Sequence, residues 1–263
     1  MIRRLLPPLA AAGLIFASLA LAQTPAPEPK GYLDADATPL TLRVLPPPPA
    51  AGSGREADDK AIFAKTRALA GSPRWALATL DADLTPRAGM FACAIGVRLN
   101  AANAPTLDRM LHRMAPDARA VVDPPKDSFN RPRPYVGVAG DPPICVPKTD
   151  SLAKSASYPS GHATVAWAWG LILAELAPDR ATEILMRARA IGESRIVCGV
   201  HYLSDVEEGR TNGSILVAAV HSSPEFRTDM EAARAEVAAA RATPHVGPGD
   251  CLDTDQAAQH PPY

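Results

Sequence analysis

Residues Ala163–Leu176, ATVAWAWGLILAEL, form an almost unbroken apolar run of about one helix's length. A helix that is apolar on most of its circumference must be enclosed by other elements. The run is too short and too interrupted to span a bilayer. The rest of the chain has to enclose it, and 263 residues with 47% apolar side chains suffice for one sizeable core. Abundant alanine and only 5% aromatics favour helices. No strand pattern exceeds a few residues, and no internal repeat is present. The expected fold is all-α, a helical bundle whose core helices begin near Ser160 and His201.

Met1–Ala22 reads as a secretory signal peptide, with Arg3 and Arg4 ahead of an apolar stretch and Ala20-Leu21-Ala22 as the cleavage site. Export to the periplasm would allow Cys93, Cys145, Cys198 and Cys251 to form two disulfides, in any of three pairings. Residues 23–49 are Pro-rich and expected to be extended, outside the globular unit of residues 50–242, although Leu42, Val44 and Leu45 could pin them to a groove. Ala57–Ala70 has helical spacing. Ser72-Pro73 opens a helix through Leu80, and Gly89–Leu99 is an apolar run that should enter the core. Asn103 is expected to cap a helix ending at Pro116. A short helix at most then runs to Pro124-Pro125, followed by a loop over Lys126–Pro134. Pro178-Asp179 starts a helix that Gly192-Glu193 should break, and further helices are expected over Asp205–Val220 and Pro224–Ala242. The tail, residues 243–263, should be disordered unless Cys251 pins it.

Three polar stretches stand out. KDSFNRPRP holds Lys126, Arg131 and Arg133. SYPSGH enters the apolar helix, so Ser160, Gly161 and His162 lie where free backbone N–H groups favour anions. SRIVCGVHYLSD places Arg195, His201 and Asp205 within eleven residues. On a helix, His201 and Asp205 would share a face, and the carboxylate would fix the imidazole tautomer. Each stretch alone is ordinary: a solvated basic loop, an N-cap, a surface ion pair. A net charge of −1 argues against a nucleic-acid partner. No His or Cys spacing suggests a metal site, and no cofactor is expected.

Together the spacings resemble the three-part signature of type-2 phosphatidic acid phosphatases and vanadium haloperoxidases. The signature positions are Lys126 with Arg133-Pro134, then Pro159–His162, then Ser194-Arg195, His201 and Asp205. Within that superfamily the chain is similar to the class A bacterial non-specific acid phosphatases, which share the Leu-Pro-Pro-Pro-Pro segment found at Leu45–Pro49. The resemblance covers roughly Leu45–Ala242. Two positions depart from the usual GSYPSGHT: Ala156 replaces Gly and Ala163 replaces Thr.

The resemblance implies a secreted, metal-independent phosphomonoesterase of broad substrate range. Lys126, Arg133, Arg195, Ser160 and the N–H groups at Gly161 and His162 would cradle phosphate. His201 would be the nucleophile, Asp205 would orient it, and His162 would be the acid and base. Phosphotransfer to alcohols is a side expectation, and homo-oligomers are what the family suggests. Arg131 lies outside the signature, as a supporting cation or merely a solvated one. The competing readings are a vanadium-dependent haloperoxidase and a non-catalytic phosphate-binding protein. A membrane-embedded lipid phosphatase is disfavoured, because no apolar run of about twenty residues follows the leader.

Overall fold

The computed structural model describes residues 29–243, 246–247 and 251–263; the expected signal peptide lies outside them. Among these residues the architecture is entirely helical, in agreement with the all-α expectation. The expected central helix is α6, Gly161–Leu176, and its longest interfaces are with α7 (Ala181–Val197) and α8 (Leu203–Val220). Helix α4, Pro105–Phe129, packs on α6, α8 and α9 (Pro224–Arg241) and completes the core. Ile172, Leu173, Leu111, Val121, Ile184, Leu216 and Phe226 meet there with no exposed surface. Smaller helices flank this centre: α1 (Gly54–Arg67), α2 (Pro73–Leu80), α3 (Ala92–Ile95), α5 (Asp150–Lys154) and α10 (Leu252–Gln259). Ser72 caps α2 at the Trp75 N–H, with Pro73 in the first turn as expected. The Gly89–Leu99 run does enter the core, through Phe91, Ile95, Val97 and Leu99.

Helix α8 lies unusually close to α6. A Cβ on Gly209 would stand 2.7 Å from the Ser160 carbonyl oxygen, and one on Gly213 would stand 2.6 Å from that of Thr164. Only hydrogen at these two positions permits the approach. The Ser160 N–H then donates to the Asp205 carbonyl at 2.9 Å, joining the starts of the two helices.

Several boundaries differ from expectation. Helix α4 does not stop at Pro116; it runs 25 residues through Pro116, Pro124 and Pro125, begins after Ala104 without an Asn103 cap, and carries Lys126 in its last turn. Pro125 removes the donor that would bond the Val121 carbonyl. Two buried side chains donate there instead, Thr41 Oγ1 at 2.7 Å and Asn212 Nδ2 at 3.0 Å. Pro116 and Pro124 free the carbonyls of His112 and Ala120, which belong to exposed residues that water can serve.

Gly192-Glu193 does not break α7, because Gly192 is a packing residue: a Cβ there would stand 3.3 Å from Val206. The described part of the Pro-rich segment is not apart from the globule. Tyr32 and Leu33 donate their N–H groups to the Asp117 carboxylate, the Tyr32 hydroxyl donates to Asp229, and Leu45 is buried. Leu42 and Val44 remain exposed. The tail is pinned rather than disordered from Cys251 onward. Cys251 is bonded to Cys93, and α10 packs on α2 and α7. The second disulfide joins Cys145 to Cys198.

Candidate active site

The three polar stretches converge at one end of α6, α7 and α8. Ser160 is the N-cap of α6, fully buried, with its Oγ accepting from the Ala163 N–H at 3.3 Å. Gly161 and His162 are therefore the first two residues of the helix, where backbone N–H groups lack intrahelical partners. Arg195 sits in the last turn of α7, not in a loop. The chain then reverses through Gly199 (φ +80°). Arg67 fills the space a Cβ would need there and donates to the carbonyls of Ile196 and Val197 at 2.9 and 2.6 Å. This turn, tied to residue 145 by its disulfide and by the Cys145 N–H to Cys198 carbonyl bond, presents His201.

His201 lies just ahead of α8, not on it, while Asp205 occupies the first turn of that helix. The expected contact survives in weaker form: His201 Nδ1 stands 3.4 Å from Asp205 Oδ2, outside hydrogen-bond geometry. Asp205 has closer partners. Its Oδ2 accepts from the Tyr202 N–H at 2.8 Å and its Oδ1 from Arg131 Nη1 at 2.6 Å. Arg131 is thus a partly buried, ion-paired cation held from the other side by Asp59 Oδ2 at 2.8 Å, and it is not merely a solvated one. Asp59, which carries no sequence signal, also accepts from the Ser204 N–H and hydroxyl.

On the other face of the His201 ring, Nε2 lies 3.2 Å from Arg133 Nη1. A guanidinium can only donate, so Nε2 accepts and Nδ1 carries the proton toward Asp205. Arg133 is fixed by the carbonyls of Leu152, Ser155 and Val200. Lys126 reaches across to donate to the Ala156 carbonyl. Arg195 is different: it is buried, and its Nε and Nη1 have no hydrogen-bond partner. Among the described residues none of Lys126, Arg133 and Arg195 is ion-paired. Burial pulls Lys126 down to about 8 and Arg195 to about 10, with the Arg133 charge adding to both shifts.

His162 completes the site. Its Nε2 is 3.1 Å from the Ala82 carbonyl oxygen, so Nε2 donates and Nδ1 is left for chemistry. Ala82 follows Asp81, whose buried carboxylate holds Arg187 and accepts from the Ser194 hydroxyl beside Arg195. Neither Asp81 nor Arg187 belongs to a recognisable spacing. Burial, then the Arg195 charge, pushes His162 down to about 3. His201 is also pushed well below its ordinary value, by burial and then by Arg133.

Both imidazoles are therefore neutral in the folded protein where the unfolded chain would be protonated. The contribution of His162 to stability is complete above about 6.5 and is lost as pH falls from there toward 3, and that of His201 has the same sign. The melting temperature of the phosphate-free protein should fall over that window. Phosphate should flatten the slope, because a bound anion favours the imidazolium forms. An unchanged slope with saturating phosphate would disconnect the histidines from the anion site.

The PAP2 superfamily matches over residues 117–229, which hold every one of these site residues except Asp59, Arg67, Asp81 and Ala82. An acid phosphatase of Zymomonas mobilis subsp. mobilis is 45% identical over 214 residues, 80% of each chain. Non-specific acid phosphatases of Providencia stuartii and Salmonella typhimurium are 38% and 33% identical. They align with 75% and 73% of this chain and with 81% and 78% of their own lengths. The chain belongs to the PAP2 superfamily and, within it, to the class A bacterial non-specific acid phosphatases.

Proposed function

We propose that this chain is an exported, metal-independent acid phosphatase that cleaves a broad range of phosphate monoesters through a phosphohistidine at His201. The observation that carries the reading is the buried Arg195, whose Nε and Nη1 have no hydrogen-bond partner and whose charge acts on the His201 ring. A desolvated cation without a counter-ion is costly unless an anion completes it. Arg195, Arg133 and Lys126, with the N–H groups opening α6, supply cationic and donor groups for the equatorial oxygens of a phosphoryl group in transfer. Export is supported by the leader-like Met1–Ala22 and by two disulfides.

In the first step, the Nε2 lone pair of His201 forms a bond to phosphorus as the ester P–O bond breaks. His162 Nδ1–H gives its proton to the leaving oxygen. Asp205, held in place by Arg131, faces the positive ring that results. In the second step, His162 takes a proton from water, the hydroxide attacks phosphorus, and the P–N bond breaks to restore His201. An alcohol in place of water gives phosphotransfer. The acid step requires a protonated His162, so kcat should fall on the alkaline side as that proton is lost from the substrate complex.

Two in-line displacements retain configuration at phosphorus. Hydrolysis of an isotopically chiral phosphate monoester, with excess chelator present, should proceed with net retention; inversion would eliminate the covalent intermediate. His162→Ala should slow an alkyl phosphate by about 10²–10⁴-fold and slow p-nitrophenyl phosphate far less, since nitrophenolate leaves without protonation. Equal losses on the two substrates would remove His162 as the acid.

A further inference from the structure

A groove of about 500 Å³ opens beside the phosphate cradle, between α4 and α6. Lys126, Gly161 and His162 line its inner end, whereas His201, Arg133 and Arg195 do not line it at all. Most of its exposed lining is apolar, contributed by residues such as Leu111, Ala115, Ala118, Val122, Val165 and Trp169. The volume falls in the range of about 300–1,000 Å³ typical of small-molecule sites.

In-line attack puts the leaving group on the side of phosphorus opposite the nucleophile. The general acid must stand on that same side. In this chain the acid lines the groove and the nucleophile does not, so the organic part of the ester is directed along an apolar surface. We infer that this groove is a leaving-group subsite that selects phosphate monoesters of alkyl or aryl alcohols over those of small polar ones. The inference rests on the reading of His201 and His162 above and adds a substrate preference to it. Of the three-part signature only Lys126, Gly161 and His162 line the groove, at its inner end. The apolar residues that line it on α4 and α6 lie outside the signature, and Arg87, Arg119 and Asp123 are further lining residues outside it.

Hexyl phosphate and ethyl phosphate test this directly. Their leaving oxygens are chemically alike, and they differ by four methylenes. Each methylene taken from water is worth up to about fourfold, so kcat/KM should favour hexyl phosphate at least about tenfold. Ala115→Trp, which fills the groove without touching the cradle, should abolish most of that ratio while leaving ethyl phosphate turnover within about twofold. Ala115→Leu should give an intermediate ratio if the larger substitution does not fold. Equal kcat/KM for the two esters in the unmodified enzyme would overturn the subsite and leave the phosphatase reading intact. A ratio unaffected by both Ala115 variants would also overturn it. No release of phosphate from either ester would overturn both readings together.

Discussion

His201→Ala should abolish turnover, on the order of 10⁵-fold or more in kcat, as removal of a covalent nucleophile does in other enzymes. Inorganic phosphate should still bind. The prediction separates two roles that the structure keeps on different atoms. In the proposed mechanism Arg195, Lys126 and the start of α6 would hold the anion, and each is positioned by an element other than the one that carries His201. His201 Nε2 would provide the electron pair; it faces Arg133, which the carbonyls of Leu152, Ser155 and Val200 hold in place independently. Calorimetry with phosphate should therefore give a dissociation constant within about tenfold of the unmodified protein. Measurable steady-state hydrolysis by the purified variant would remove His201 as the nucleophile. Loss of phosphate binding along with turnover would instead make it part of the cradle.

The legible part of this molecule was the part carried by spacing. Lys126, Arg133, Ser160, Arg195, His201 and Asp205 lie far apart in sequence and come together as the three stretches implied. Supporting residues were less visible. Arg131 stood in the right loop, but nothing local distinguished it from a solvated arginine. Its partner Asp59 is 72 residues away. Asp81, which accepts from the hydroxyl of Ser194, is an ordinary helix-end aspartate until the fold brings α7 against it.

The helix errors have one common cause. Proline and glycine act locally as helix breakers, and here tertiary partners override them. At Pro125 the orphaned Val121 carbonyl is served by Thr41 and Asn212, from the Pro-rich segment expected to lie outside the globular unit and from another helix. A signal was nevertheless present. Leu107, Met110, Leu111, Met114, Ala118, Val121, Val122 and Pro125 continue one apolar stripe at helical spacing straight through Pro116. Periodicity was the better guide there than punctuation.

Arg195→Met should lower kcat/KM by about 10³-fold or more, the scale set by removing an arginine that neutralises a phosphoryl transition state. The same change should leave the phosphate-free protein as stable as before, or raise its melting temperature. The two effects share one origin. Arg195 is 4% exposed, its Nε and Nη1 are unbonded, and burial already draws its proton affinity down to about 10. A charge in that state opposes folding, and a methionine of similar length removes the penalty while filling the space. A binding protein or an enzyme can carry such a residue because its ligand restores the missing partner. Phosphate should accordingly raise the melting temperature of the unmodified protein by more than that of the variant, at equal concentration. Thermal denaturation with and without phosphate checks both halves of the expectation. If Arg195→Met destabilises the phosphate-free protein and leaves its response to phosphate unchanged, then the guanidinium is a structural group, and the anion is held by Lys126 and Arg133 alone. If stability rises while turnover and the phosphate response both collapse, the site is one where folding free energy has been given up to keep a cation ready for the transition state.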